Sequence, residues 1–160
     1  MKNSRKSAGI LLYRSTNKII EFFLVHPGGP FFIKKDLGTW SIPKGEFDES
    51  ENAFDAAIRE FKEEVGVDLS GKAITLSPVK QKSGKEVFAW AIEGDLDPQN
   101  ISSNTFAIEW PPKSGKFRDY PEVDKGEWFD YHAAKQKINP AQIPLIEELI
   151  KKLNLTAEKI

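Results

Sequence analysis

Residues 45–67 read GEFDESENAFDAAIREFKEEVGV, and the spacing within this stretch decides how the rest of the chain is understood. Phe54, Ile58, Phe61 and Val65 recur at i, i+4, i+7 and i+11, the period of one helical face. The pattern predicts a helix over Asp48 to Val65. Gly66 ends it as a left-handed cap, and Asp48 and Glu51 have the spacing of a capping-box pair at its start. Away from the apolar stripe, Glu60, Glu63 and Glu64 stand at i, i+3 and i+4 and share one patch. Like-charged pairs at these spacings destabilise a helix, and two of the acids occupy the last turn, where the macrodipole disfavours negative charge. Stability alone does not choose this arrangement. The missing compensation is a cation. Oxygen ligands without Cys or a nearby His favour a hard ion, Mg²⁺ or Mn²⁺ rather than Zn²⁺. The bland alternative is a solvated acidic face. An EF-hand is a poor fit, because no Asp-x-Asp-x-Asp-Gly spacing precedes these acids.

Working outward, Ser41 to Gly45 places Pro43, Lys44 and Gly45 just before the helix, which suits a loop packed against the acidic patch. Lys44 is a candidate phosphate contact or counter-charge. Ala53, Ala56 and Ala57 leave little bulk on the helix, so backbone can approach closely. Upstream, Ser7 to Tyr13 and Ile19 to His26 are β-prone runs separated by a polar turn, and they read as a hairpin. Pro27 to Gly45 holds too many breakers for a helix and is a structured loop region with one short strand near Trp40. Downstream, strands are expected at Ala73 to Leu76, Val87 to Ile92, Phe106 to Trp110 and Glu127 to Phe129. An amphipathic helix runs from Pro140 to about Leu153, with Ile143, Ile146, Leu149, Ile150 and Leu153 as its stripe. Strands before, between and after two helices imply an α/β fold, a mixed central sheet with helices on both faces.

The 160 residues suit a single domain spanning 1–160. With 39% hydrophobic and 29% charged residues the chain is globular in composition. Lys and Arg total 23 against 24 Asp and Glu, a formal charge of -1, so no global field draws it to nucleic acid or anionic lipid. There is no cysteine, which excludes disulfides, thiolate metal sites and cysteine nucleophiles. No apolar run approaches the ~20 residues of a membrane span, and no signal-peptide pattern follows Met1. A soluble cytoplasmic protein is expected. Its oligomeric state is not encoded in any pattern of the sequence.

Taken whole, Gly45 to Val67 resembles the Nudix box, G-x5-E-x7-R-E-U-x-E-E-x-G-U, where U is a bulky apolar residue. The fixed positions are Gly45, Glu51, Arg59, Glu60, Glu63, Glu64 and Gly66, and Phe61 and Val67 fill the apolar ones. At roughly 6% background frequency per fixed residue, a chance match in the chain is of order one in ten million. The resemblance implies a Nudix-type α/β/α sandwich. It also implies divalent-cation-dependent hydrolysis of a pyrophosphate bond in a nucleoside diphosphate linked to another group. Carried over, Glu60, Glu63 and Glu64 are the metal ligands, with the Lys44 or Gly45 carbonyl as a further oxygen. Arg59 and Glu51 form an orienting pair. A catalytic base outside the box is expected from Glu122 or Glu127.

The Trp40-Ser-Ile-Pro-Lys-Gly45 run is similar to that of dinucleoside polyphosphate hydrolases and diphosphoinositol phosphatases, which favours a polyphosphate substrate. Trp110, Lys113, Lys116, Arg118 and Tyr120 interleave aromatic and basic side chains, suited to a base and its flanking phosphates. A strand end followed by a solvated loop is the plain alternative. Trp40 and Trp90 are expected in the core, and His26 and His132 at the surface or satisfied. A small-molecule nucleotide is thus the expected partner. The competing function is a Nudix-fold sensor that binds nucleotides without turnover, but such proteins usually have a degraded box or an attached DNA-binding domain.

Overall fold

The computed structural model describes residues 5–160. Strands β1 (Lys6–Thr16) and β2 (Ile19–Pro27) form the expected hairpin, its two-residue turn made by Asn17 and Lys18 with φ of 52° and 68°. Both positive angles match the turn type whose twist suits an antiparallel pair. β3 (Lys44–Glu46) precedes α1 (Ala53–Val65), and β4 (Ala73–Thr75), β5 (Val79–Lys80) and β6 (Glu86–Glu93) follow. Next come β7 (Thr105–Glu109), β8 (Phe117–Pro121), β9 (Val123–Asp130), α2 (Tyr131–Lys137) and α3 (Ile143–Lys152). The main sheet runs β4-β6-β1-β2-β9, with β3 paired to β1 and β5 to β6. β1 and β6 are parallel while the other pairs are antiparallel, so the sheet is mixed. β7 and β8 form a separate two-stranded sheet.

Alternation along β1 divides the core. Ala8, Ile10 and Leu12 pack with Phe23, Val25 and the Ala56, Ala57, Phe61 and Val65 face of α1. Leu11 and Tyr13 face the opposite side with Phe22, Leu24, Trp40, Ala134, Leu145, Ile146 and Leu149. Both faces of the sheet are therefore covered by helices, as expected. Trp40 is core, edge-on to Phe129, whereas Trp90 is half-buried against Phe54.

The structure corrects several boundaries. α1 begins at Ala53 rather than Asp48, because the Asn52 side chain caps it by accepting from the Phe54 and Asp55 N–H groups. Asp48 instead closes a turn with Ser50, so Asp48 and Glu51 do not form a capping box. Pro140–Gln142 is a 3₁₀ turn leading into α3. Tyr131–Lys137 is a helix capped by Asp130, and Phe117–Pro121 is a strand rather than loop. His26 is buried and His132 exposed on α2. Among the described residues, no helix is long and apolar enough to cross a membrane.

Candidate active site

The sheet brings the acidic patch of α1 against β3. Gly45 sits opposite Ala8, on the α1 side, and a Cβ on it would lie 1.9 Å from Glu60 Oε2. Only glycine lets the backbone reach that carboxylate. One residue earlier, the Lys44 N–H donates to Glu64 Oε2 at 3.1 Å. At the far end Gly66, with φ 81°, caps α1 and donates to the Lys62 carbonyl, turning the chain away after the last glutamate.

Arg59 organises the patch from its rim. Its Nε and Nη2 grip both oxygens of Glu51 at 2.7 and 2.8 Å, a bidentate pairing that fixes the guanidinium plane. Nη1 donates to Glu60 at 2.8 Å and to Glu63 at 3.1 and 3.2 Å. Glu60 is buried, and burial raises its pKa, partly opposed by Arg59 and reinforced by Glu63 and Glu122. Glu64 is more strongly affected: burial pushes its carboxyl up to about 8 against the pull of Lys44. Glu122 enters the same field, its pKa raised by burial and by Glu63.

Glu122 arrives there through a relay of backbone bonds. Asn104 donates its N–H to the Glu63 carbonyl at 2.9 Å, Glu122 donates to the Asn104 carbonyl at 2.8 Å, and Gly28 donates to the Glu122 carbonyl at 2.9 Å. The acid six residues before Trp128 thus joins the box acids, whereas Glu127 is exposed further along β9. Among the described residues, no three acidic or histidine side chains converge on one metal point. Arg59 lies between Glu60 and Glu63 instead. The donor chemistry suits a hard divalent cation: Glu60, Glu63, Glu64 and Glu122 offer oxygen alone and lie within reach of one another's charge, and three of them are pushed toward protonation.

The remaining candidates separate into two places. On β8, Arg118 and Tyr120 stand opposite Ile108 and Phe106 and share a face of the hairpin with them. Trp110 meets Phe31 edge-on at 5.2 Å, and Phe106 lies against Gly29. Lys113 and Lys116 are at the exposed tip. Lys44 is elsewhere. Its side chain, opposite Gly9, leaves the sheet on the face away from α1, where burial and then the charge of Lys85 lower its pKa.

Two participants have no signal in local sequence. Lys85, on the turn before β6, joins Lys44 only through the sheet. Gln142 is fully buried and holds the approach to the box, accepting from the Ile42 N–H at 3.0 Å and donating to Ser41 Oγ and Gln81 Oε1.

The NUDIX domain family model matches residues 3–149. This chain belongs to the Nudix family. Among curated Nudix relatives it is 27% identical over 120 residues to the m7GpppN-mRNA hydrolase of Saccharomyces cerevisiae, a match covering 73% of the chain and 11% of that protein. The chain therefore spans about a tenth of that relative. It is 29% identical over 119 residues to the asymmetrical bis(5'-nucleosyl)-tetraphosphatase of Rattus norvegicus, covering 66% of the chain and 77% of the relative. A Caenorhabditis elegans Ap4A hydrolase in a binary complex superposes with a TM-score of 0.64 at 20% identity, over 92% of this chain and 98% of that one. That likeness shows the Nudix fold.

Proposed function

We propose that the chain is a divalent-cation-dependent pyrophosphohydrolase acting on a nucleoside diphosphate linked to another group, with a dinucleoside polyphosphate or nucleoside triphosphate as preferred substrate. One observation carries the reading: Glu60 lies against Gly45, Glu64 accepts from the Lys44 N–H, Arg59 bridges Glu60 and Glu63, and the charge of Glu122 acts on Glu60 and Glu64. Such a corner is unfavourable without a cation.

Glu60, Glu63, Glu64 and the Gly45 carbonyl would hold Mg²⁺ or Mn²⁺. When bound, the ion neutralises charge on the phosphate oxygens and makes water a stronger nucleophile. Arg59, anchored on Glu51, orients Glu60 and Glu63. Glu122 accepts the proton of the attacking water. Its raised pKa brings it nearer the working pH of a base. Trp110 and Tyr120 offer ring faces to a base, and Lys113, Lys116 and Arg118 add positive charge along the hairpin. Lys44, expected from the sequence as a phosphate contact, lies half-buried on the other face of the sheet and is left out of the substrate contacts.

The likeness to a bis(5'-nucleosyl)-tetraphosphatase supports the substrate class. A turnover panel of dinucleoside polyphosphates, nucleoside triphosphates, nucleotide sugars and diphosphoinositol phosphates, with Mg²⁺ and with Mn²⁺, tests it. Diadenosine tetraphosphate is expected to give a higher kcat/KM than ADP-ribose, and Glu122→Gln to lower kcat by about 10²–10⁴-fold. Binding of nucleotides without turnover of any would replace the enzyme reading with that of a sensor. An unaffected Glu122→Gln variant would remove that residue from the base role.

A further inference from the structure

His26 is 1% exposed at the end of β2, and both of its ring nitrogens face an oxygen. Nε2 lies 2.7 Å from the Lys35 carbonyl, and Nδ1 lies 2.8 Å from Asp124 Oδ1 on β9. A carbonyl only accepts, so Nε2 carries a hydrogen. A carboxylate also only accepts, so Nδ1 must carry one as well. A neutral imidazole has a single N–H and would set a lone pair against one of these oxygens at contact distance.

We propose that His26 is held as an imidazolium whose two N–H groups pin the 28–37 loop to β9, making it a positioning residue for the aromatic corner of Phe31 and Trp110. The pinned loop carries Phe31, 53% exposed and edge-on to Trp110. It begins at Gly28, which donates to the Glu122 carbonyl. Asp124 is two residues past Glu122, so one charged ring fixes both the aromatic corner and the bend carrying the base. The surroundings accommodate a cation there. Asp124 is the acid in contact. Lys125 pairs with His26 in register but sends its ammonium over the Trp40 ring. Asp36, beyond Trp40, accepts from the Trp40 indole and pairs with Lys137. Trp40 itself lies edge-on to the imidazole at 5.2 Å.

The kinetic part of this inference rests on the proposed function, but its first test does not. The chain has two histidines, so ¹⁵N-imidazole NMR, with His132→Gln for assignment, reads the ring of His26 directly. The expected result at neutral pH is two protonated nitrogens. One bare nitrogen overturns the proposal, whatever the enzyme does.

Asp124→Asn provides the matching variant without disturbing the packing. Its amide can donate to Nδ1, so a neutral ring then satisfies both sides and the bare nitrogen is expected at Nδ1. Hydrogen exchange over residues 28–37, corrected for intrinsic rates, should show protection falling as pH rises in the parent and level in Asp124→Asn. Equal pH dependence in the two proteins contradicts the clamp. In turnover assays the parent's KM should rise several-fold over the same pH range with a smaller change in kcat, relative to Asp124→Asn. A merely structural histidine would leave that difference flat.

Discussion

Glu64 is an acid whose charge the surrounding fold resists, and this gives a signed expectation for stability. Its ordinary value of 4.5 is raised by burial to about 8. A carboxyl with a raised native pKa contributes stability that is complete below its unfolded value and is lost as pH rises through the native one. Without divalent cation, the parent's melting temperature should therefore decline from about pH 5 to about pH 8.5 relative to Glu64→Gln, which has no such proton to release. Parallel melting profiles would show that Glu64 does not carry this strain. The same substitution, or Glu63→Gln, should lower turnover by orders of magnitude at saturating Mg²⁺, because a ligand charge is gone while the fold remains. Near-native turnover in either variant would remove it from the metal set.

At the scale of elements, the β7–β8 hairpin is the piece whose role is most open to direct measurement. Replacing Lys113, Lys116 and Arg118 together by Ala should raise KM for a tetraphosphate substrate with a smaller change in kcat, since these groups lie away from the bond being broken. A triple variant with parental KM would make the hairpin plain surface. This element also shows where sequence reading stops. β8 is FRDYP, short, charged and mostly exposed, and its pairing with β7 is a long-range fact. α2 buries only Ala134, too little to print a helical period. α1 was legible because its stripe and its acids lie within one stretch. Its start was misplaced because Asp48 and Asn52 are both competent caps, and only Asn52 has free helical N–H groups above it. Glu122 was readable as a candidate acid, but its nearness to the box depends on Asn104 and Gly28. Gln142 and Lys85 work through distant partners, and nothing beside them in the chain announces it.

Across the whole molecule, the acidic corner couples the fold to its solution conditions. A cation that binds only the native state stabilises it by about 2.7 kcal/mol at a hundred times its dissociation constant. Mg²⁺ or Mn²⁺ at millimolar concentration should therefore raise the melting temperature, and chelation should reverse the rise. A midpoint indifferent to either treatment would mean that the acids hold no ion. The parallel pairing of β1 with β6 has a different sort of consequence. It joins residues roughly eighty positions apart, and α1 is contained in the chain between them. The core strand thus gains its β6 neighbour only after a large loop has closed, an entropically slow event. Until then α1 has only part of the sheet to rest on, so the acidic corner matures late on the route from the unfolded chain, and a nascent protein interrupted before residue 86 has the whole motif but not the complete platform that gives it shape.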